Sequence, residues 1–377
     1  MEITAAVLER VGEPLVLRAL DLEPPRHGEV LVRLLASGIC HSDLSLMEGK
    51  WPAPLPMVLG HEGAGVVEAV GPGVDETRVG ESVVLTFTPG CGRCRFCLEG
   101  RINLCTSAAR SMDDGVLEDG TTRLSLNGQA VHHLALVSSF ATHAVVPAAA
   151  AIPVPRDLDP EIACLLGCGV LTGFAAVTRR AAVSPGDSVA VFGCGGVGLA
   201  TIAAARLVSA YPIVAVDPLP EKRELALRLG ATHAVDPVDE IGPVDIAFEA
   251  AGIAAVAEQA FRATRTGGKT VLIGQPALGV HASFPIYELT QFEHDVLGTH
   301  IGGAVPALDI PTIARLLQAG RLDLGPLVTH RFRLDEIDEA IAVAVSGLAG
   351  RVVLDTGNAW REGANVRLVR NQDGGEP

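Results

Sequence analysis

The feature that most constrains the fold of this chain is a glycine triplet between an apolar strand and a helical pattern. Ser188–Phe192 is apolar, the motif Gly193-x-Gly195-x-x-Gly198 follows, and a helical pattern then continues to about Val208. The first glycine permits a tight turn, the second lets the backbone approach a pyrophosphate, and the third allows close packing of helix against strand. The helix N-terminus presents free N–H groups to an anion. This context predicts a dinucleotide-binding turn that includes Gly196 and Val197.

An acidic residue stands at the end of the next predicted strand. Asp217 closes Ile213–Asp217, 24 residues after Gly193. A carboxylate at this place accepts both ribose hydroxyls and repels a 2′-phosphate, which favours NAD over NADP, and Lys222 could flank the same ribose. The residues alone leave open a glycine turn that serves only packing and an aspartate that only caps a helix.

The 377 residues are enough for two domains, and the pattern of predicted strands and helices differs between two parts of the chain. Strands alternating with helices continue after the glycine turn and predict a parallel, doubly wound sheet. The earlier part has short Val- and Leu-rich strands between turn signals, which predicts a β-barrel-like unit, and Cys105–His143 reads as a long, loop-rich insertion. The predicted strands are Leu15–Leu20, Glu29–Ala36, Gly65–Val70, Ser82–Phe87, Asp245–Glu249 and Lys269–Gly274, and the predicted helices are Glu221–Leu229, Ile310–Ala319 and Leu334–Val345.

Charge and hydropathy narrow the function classes. The formal charge is −15, with 44 acidic against 29 basic residues, and no Lys/Arg-rich run occurs, so a nucleic-acid partner is not expected. Met1–Arg10 lacks the features of a secretory signal. Apolar stretches such as Ala148–Pro155 are short and broken by proline, so no membrane span is expected. We therefore expect a cytoplasmic protein whose eight cysteines stay reduced.

Four cysteines are crowded into fifteen residues. Cys91, Cys94, Cys97 and Cys105 would supply four thiolates, which close a tetrahedron around Zn²⁺ and leave no open position. Such a site is structural. Four cysteines also hold iron–sulfur clusters, and redox or unrelated thiols are further interpretations.

A second set of possible ligands is dispersed along the chain. Cys40, His61 with Glu62, and Cys168 each lie beside glycine. Two thiolates and one imidazole would leave a fourth position for water or substrate, which is the arrangement of a catalytic zinc. Taken singly, His61 could be a hydrogen-bonded core histidine and Cys168 a small buried hydrophobe.

With these motifs in view, the chain resembles the zinc-containing medium-chain alcohol dehydrogenases. The matching segments occur in the family's order from the N-terminus to about residue 355: GICHSDL (38–44), GHEGAGVVEAVG (60–71), CGRCRFC (91–97), GCGVLTGFAAV (167–177) and GCGGVG (193–198). DGTTRLSLNGQAVHHL (119–134) resembles the long loop of the animal-type and formaldehyde/glutathione-type branches. The resemblance implies an α/β fold with a GroES-like β-barrel catalytic domain (1–168, with a structural zinc lobe at 91–105) and a Rossmann NAD-binding domain (169–300). A return to the catalytic domain (301–360) and a polar tail (361–377) complete the expected organisation.

The resemblance also implies residue roles and two zinc ions per subunit. Cys40, His61 and Cys168 would hold the catalytic zinc and the four clustered cysteines the structural one. Glu62 would be the carboxylate that approaches the metal, Asp43 the partner of His61, and Ser42 the hydroxyl that bridges substrate alcohol and ribose. The NAD-binding positions fall on Gly193, Gly195, Gly198, Asp217 and Lys222, with His41 and Arg351 at the pyrophosphate; Trp51, Phe87, Leu134 and His300 would line the substrate pocket.

Two departures bear on the substrate. Many relatives carry a proton-relaying histidine where this chain has Ser45, and branches that act on aromatic alcohols also lack it. The arginine of the glutathione branch has Ala109 at the matching place, with Arg110 one position away. We therefore expect reversible oxidation of a medium or aromatic primary alcohol to an aldehyde, with hydride transfer to NAD.

Three expectations stay open at this stage. One alternative is a nicotinoprotein whose NAD never leaves and is reoxidised by an external acceptor. Another is a zinc-structured binding protein without catalysis, which the intact ligand set argues against. The family commonly pairs its Rossmann sheets edge to edge around the segment equivalent to Ala282–Leu297, so a homodimer or homotetramer is expected.

Overall fold

The computed structural model describes residues 1–357. Its strands, numbered in chain order, are β1 (Glu2–Leu8), β2 (Val16–Leu22), β3 (Glu29–Ile39), β4 (Met57–Val58), β5 (Glu62–Val70), β6 (Ser82–Leu85), β7 (Leu124–Leu126), β8 (Gln129–His133), β9 (His143–Pro147), β10 (Ala151–Pro153), β11 (Val189–Phe192), β12 (Ile213–Val216), β13 (His233–Val235), β14 (Val244–Glu249), β15 (Thr264–Leu272), β16 (Asp295–Gly298), β17 (Val328–Arg333) and β18 (Arg351–Asp355).

The helices lie mainly in the second half of the described chain. They are α1 (His41–Met47), α2 (Arg95–Leu98), α3 (Thr106–Asp114), α4 (Pro160–Ala163), α5 (Gly169–Ala175), α6 (Gly196–Leu207), α7 (Pro220–Leu229), α8 (Ala254–Arg262), α9 (Ile286–Gln291), α10 (Pro306–Gln318) and α11 (Ile337–Val345). A turn of π-helix, Ala176–Ala181, extends α5.

Strands from the first 153 residues, joined by β17 and β18 from the end of the described chain, form a small closed barrel and an adjoining sheet. The barrel order is β1-β2-β7-β8-β4, and the sheet order is β10-β6-β5-β3-β18-β17, with β9 also paired to β3. β3 is central, and the chain returns after the helical half to add β18 against it. The barrel-like unit predicted from the sequence is confirmed.

Six parallel strands form the second sheet, in the order β13-β12-β11-β14-β15-β16. β11 is central and its residues Val189–Phe192 are buried on both faces, as parallel strands covered by helices on both sides must be. The predicted glycine turn follows β11 directly and opens into α6. The doubly wound sheet predicted by the alternation is confirmed.

The interpretation of Cys105–His143 as loop-rich is wrong in part. The segment contains α3 and a hairpin of β7 and β8 that joins the barrel. Asn127 and Gly128 connect the two strands, with φ of 51° and 78°. An Asn-Gly pair with positive φ at both positions is the turn that matches the twist of a two-residue hairpin, so this dipeptide was the available signal.

One helix pair joins the two sheets. α5 packs against α6, and a methyl group at Gly173 would lie 2.6 Å from the backbone nitrogen of Thr201. Because that approach has no room for a side chain, the backbones of α5 and α6 lie in close contact at the middle of both helices. Cys168 immediately precedes α5, so this packing places it beside the second sheet.

Within residues 1–357, no single helix is long and apolar enough to cross a membrane. The pair Pro160–Gly167 and Gly169–Ala181, bent by 59°, meets the length and composition test together. All seven residues of α5 are buried inside the fold. The predicted residue-level domain boundaries stay a prediction, and the predicted polar tail lies outside the described residues.

Candidate active site

Four possible metal ligands from three distant segments converge at the start of α5. One donor atom each from Cys40, His61, Glu62 and Cys168 lies within 4.8 Å of the other three, and all four residues are buried. A tetrahedral zinc with Zn–S bonds of about 2.3 Å separates its sulfur ligands by roughly 3.8 Å. Soft thiolates with an imidazole are ligands that zinc prefers, so this donor set fits the ion that its chemistry implies.

Strand register explains why residues far apart in sequence meet here. β5 begins at Glu62, which pairs with Gly38 of β3, and β18 pairs Val352 with Ile39. Cys40 and His61 are the residues next to these pairs, so they lie side by side. A methyl group at Gly167 would lie 2.4 Å from the carbonyl oxygen of Leu85, so the turn before Cys168 packs closely on β6.

Asp43 organises two of the ligands. Its carboxylate accepts hydrogen bonds from the backbone N–H of Cys40 (2.9 Å) and of Gly60 (3.1 Å). It also lies 3.2 Å from Nδ1 of His61. Because a carboxylate accepts, Nδ1 carries the proton and Nε2 is left as the ligand atom. This geometry supports the predicted role of Asp43.

The two sulfurs of the cluster share one proton, which Cys168 carries. The hydrogen bond from Cys168 holds the pKa of the Cys40 thiol well below its usual range, although burial opposes this. The same bond and burial raise the pKa of Cys168. Burial lowers the pKa of His61, but the Asp43 carboxylate outweighs it and the pKa is raised. A cation in this place would replace the proton that the two sulfurs share.

Glu62 and Arg351 form a buried ion pair beside the ligands. The Arg351 guanidinium donates to Glu62 Oε2, and the N–H of Gly169 donates to Oε1 at 3.0 Å. Burial raises the pKa of Glu62 to about 7 against the opposing effect of Arg351. The carboxylate is therefore turned toward Arg351 while remaining within the donor cluster.

The four clustered cysteines also converge. The sulfur atoms of Cys91, Cys94, Cys97 and Cys105 lie within 4.8 Å of one another. Backbone N–H groups point at them, from Cys91 to Cys105 Sγ and from Cys94 to Cys91 Sγ, both at 3.3 Å. Such bonds from Cys97 and Thr106 lower the pKa of Cys94 to about 6. All eight cysteines of the chain are free, so this loop is not disulfide-linked.

The glycine turn has the shape that a dinucleotide needs. Gly193 has φ of 93°, and a methyl group at Gly198 would lie 1.8 Å from the carbonyl oxygen of Gly193. A methyl group at Gly195 would meet no atom within 4 Å and would project into open space. Gly196 begins α6, with Val197 in its first turn, so free N–H groups face that space.

Arg351 reaches the same turn from β18. A methyl group at Gly196 would lie 2.4 Å from its Cδ, so the arginine side chain packs on the start of α6. Its Nε is buried and has no hydrogen-bond partner in residues 1–357. An unpaired cationic N–H beside a helix N-terminus fits the pyrophosphate of a dinucleotide. His41, the exposed first residue of α1, was predicted at the same group.

Asp217 and Lys222, which were predicted to bind the ribose, form hydrogen bonds within the protein. Asp217 accepts from the backbone N–H of Cys194 (2.7 Å) and of Leu219 (2.9 Å), so it ties the glycine turn to the end of β12. Lys222 is buried and its ammonium donates to the carbonyl of Ala349. Burial lowers the pKa of Lys222. The ribose roles of both residues stay predictions.

Aromatic rings extend from the ligand cluster. Phe87 meets the ring of His61 edge-on at a centroid distance of 5.5 Å and the ring of His300 at 6.0 Å. The indole N–H of Trp51 donates to the carbonyl of Pro276 at 3.4 Å. Leu134 is half-buried against the hydrophobic core. Phe87 therefore lies beside the ligand His61, and His300 lies beside Phe87, while the pocket roles of the four residues stay predictions.

Ser42 and Ser45 differ in environment. The hydroxyl of Ser42 lies 3.1 Å from His61 Nε2, at the open side of the cluster. Ser45 is 1% exposed. A buried hydroxyl that is no base near neutral pH cannot pass a proton to solvent, so position 45 does not replace the relay histidine.

One residue of this region could not be predicted from the sequence. Asn103 lies between the third and fourth clustered cysteines and bonds to His300, 197 residues away. No local pattern predicts a contact across that separation.

Comparisons with known proteins agree with this geometry. The family model of the alcohol dehydrogenase GroES-like domain matches residues 26–156, and that of zinc-binding dehydrogenases matches residues 196–319. The S-(hydroxymethyl)glutathione dehydrogenase of Synechocystis sp. is 38% identical over 368 residues, which are 94% of this chain and 100% of that protein.

Two solved structures share the fold. The benzyl alcohol dehydrogenase of Acinetobacter calcoaceticus superposes with a TM-score of 0.90 at 34% identity, covering 95% of this chain and 100% of that one. An alcohol dehydrogenase zinc-binding domain protein from Burkholderia ambifaria superposes with a TM-score of 0.90 at 38% identity, covering 94% and 99%.

A metal-ligand cluster next to a dinucleotide turn, in a barrel joined to a doubly wound sheet, defines a zinc- and nicotinamide-dependent oxidoreductase. The chain belongs to the zinc-containing alcohol dehydrogenase family.

Proposed function

We propose that this protein oxidises a primary alcohol, medium-sized or aromatic, to the aldehyde, reversibly and with hydride transfer to NAD. One observation supports this most: the side chain of Arg351 touches both halves of the site. Its guanidinium pairs with Glu62 beside the ligand His61, while its aliphatic part packs on Gly196 of the glycine turn. A substrate held at the ligands would therefore lie beside a dinucleotide held at the turn.

The proposed chemistry divides between cofactors and chain. When bound, zinc supplies the Lewis acidity that lowers the pKa of an alcohol, and NAD supplies the hydride acceptor. Ser42, whose hydroxyl lies 3.1 Å from His61 Nε2 and so beside the position that zinc would occupy, can accept the alcohol proton while it donates its own to the ribose. Phe87 excludes water from the inner side of the pocket and orients the substrate carbon by packing.

Two observations favour aromatic substrates: the residues of the predicted pocket and the substrate named for one similar solved structure. Phe87, His300, Trp51 and Leu134 provide mostly apolar walls. One similar structure is a benzyl alcohol dehydrogenase. Other relatives are named S-(hydroxymethyl)glutathione dehydrogenase, so a glutathione adduct is the competing class of substrate. Against it, this chain has Ala109 where we expect the arginine of that branch.

A substrate panel with NAD tests the proposal. We expect turnover with kcat/KM for benzyl alcohol at least tenfold above that for ethanol, and about two zinc per subunit by metal analysis. Preference for S-(hydroxymethyl)glutathione would replace the substrate class. No turnover with added NAD, combined with nicotinamide absorbance that survives gel filtration, would establish the nicotinoprotein alternative. About one zinc and no turnover would indicate a non-catalytic protein.

We further propose a homodimer or homotetramer built on the free edge of the second sheet. β16 is the edge strand, and the segment before it exposes Leu278 (74%), Ile286 (77%) and Tyr287 (71%). Apolar side chains along an unpaired edge favour pairing with a second copy. Light scattering should give at least twice the chain mass, and Tyr287→Lys with Ile286→Lys should shift it toward the monomer.

A cytoplasmic location is proposed on the state of the cysteines. Each of the two ligand clusters contains cysteines, which must be reduced to bind a metal. A reducing compartment keeps cysteines in this state. Fractionation of cells that express the chain would test this.

A further inference from the structure

His300 is held by two reciprocal hydrogen bonds to Asn103. Nδ1 of His300 lies 2.8 Å from the backbone carbonyl oxygen of Asn103. The side-chain amide of Asn103 donates back to the carbonyl oxygen of His300 at 3.1 Å. Both the ring and the backbone of His300 are therefore fixed from the same residue.

These bonds determine the tautomer of the ring. A backbone carbonyl only accepts, so Nδ1 must carry a hydrogen and donate it. In the neutral ring Nε2 then has a bare lone pair and can only accept. Within residues 1–357 nothing bonds Nε2, and it is not among the buried atoms that lack a partner, so it is open to a ligand.

Phe87 is the side chain that links His300 to the metal ligands. The centroid of its ring lies 5.5 Å from that of His61 and 6.0 Å from that of His300. A substrate whose reacting carbon lies at the ligands and whose body follows Phe87 therefore ends near His300.

We infer that Nε2 of His300 accepts a hydrogen bond from a donor on the distal end of the substrate, so that the preferred substrates are aryl alcohols carrying a ring hydroxyl. This inference rests on the proposed function. Nε2 loses its access to water once a substrate ring fills the pocket, and an analogue without the donor then leaves this acceptor unpaired, which discriminates strongly against it. Asn103 is then a positioning residue, through which the Cys91–Cys105 loop orients the pocket.

Competition between two alcohols measures the effect. The ratio of kcat/KM for 4-hydroxybenzyl alcohol to that for benzyl alcohol should be at least tenfold in the wild type. His300→Phe keeps an aromatic ring but removes the acceptor and should bring the ratio near one. His300→Gln, which restores an acceptor, should recover part of it. His143→Phe removes an imidazole that pairs with Glu68 away from the pocket and should keep the wild-type ratio.

Binding and spectroscopy give readouts apart from turnover. Titration calorimetry of 4-hydroxybenzyl alcohol into the holoenzyme with NADH, where no reaction occurs, should show at least tenfold weaker binding in His300→Phe. In ¹⁵N-histidine-labelled holoenzyme, the resonance lost in His300→Phe should have the shift of a bare Nε2. Asn103→Ala should move that resonance toward mixed tautomers and reduce the substrate ratio.

The outcomes separate the inference from the proposed function. The role of His300 would be overturned by a wild-type kcat/KM ratio of the two alcohols near one. It would also be overturned if His300→Phe changed neither this ratio nor the calorimetric affinity for 4-hydroxybenzyl alcohol. In both cases the proposed alcohol oxidation would stand. Absence of turnover with every alcohol would remove the proposed function, and unchanged calorimetric affinity in His300→Phe would then also remove the inference.

Discussion

Two glycines of the same turn should respond in opposite ways to the same substitution. A methyl group at Gly198 would lie 1.8 Å from the Gly193 carbonyl oxygen, whereas one at Gly195 would meet nothing within 4 Å. Relief at Gly198 requires α6 to move by about 1.7 Å, because nonbonded contacts need roughly 3.5 Å. The clash is with backbone, so no side-chain rotation relieves it.

The expected magnitudes follow from these contacts. Gly198→Ala should lower the free energy of unfolding by about 3 kcal/mol, the upper part of the range for overpacking. The melting temperature should fall by roughly 5–10 °C. Gly195 has φ of −72°, which alanine adopts readily, so Gly195→Ala should change stability by less than about 1 kcal/mol. Its methyl group would occupy the space for the pyrophosphate and should weaken NAD binding at least tenfold, about 1.4 kcal/mol.

Thermal unfolding without cofactor and NAD titration by calorimetry separate the two effects. The reasoning about the turn would be refuted by wild-type NAD affinity in Gly195→Ala. An equal loss of melting temperature in both variants would show that the open space at Gly195 is filled in solution.

The remaining predictions concern the two ligand clusters, a buried ion pair and a buried histidine. Cys168→Ser should abolish turnover and remove one zinc with a near-normal melting temperature, whereas Cys94→Ser should mainly lower the melting temperature; near-normal kcat in Cys168→Ser would contradict the assignment. Arg123, 1% exposed, pairs with buried Glu29, so Arg123→Met should cost about 3–5 kcal/mol in denaturant unfolding, and Arg123→Met with Glu29→Leu should recover much of it. Burial lowers the pKa of His133 to about 3, so only the unfolded chain binds this proton between about pH 6.5 and 3, and stability should fall by about 1.4 kcal/mol per pH unit as the pH drops through that window. In His133→Gln the acid side of the stability profile should be flatter, and an unchanged slope would contradict the burial argument.

Local patterns in the sequence were sufficient for the elements that obey local rules. The strand, turn and helix around Gly193–Gly198 were predicted because each glycine is required by close contacts that lie within the same six-residue turn. The four-cysteine loop was predicted for the same reason, since all its sulfurs come from one short segment. The Asn127-Gly128 hairpin obeyed a local rule as well, and it was missed because the segment was interpreted by its loop-like composition.

Only the tertiary structure decided which distant residues meet. The sequence suggested Cys40, His61 and Cys168 as ligands by their types and by resemblance, but the register of β3 with β5 and β18 and the packing of α5 on α6 bring them together. The Arg351 bridge between ligand cluster and glycine turn, and the Asn103 bonds to His300, span 289 and 197 residues. Contacts of that range depend on strand order and helix packing, which the whole fold sets and no local window of sequence contains.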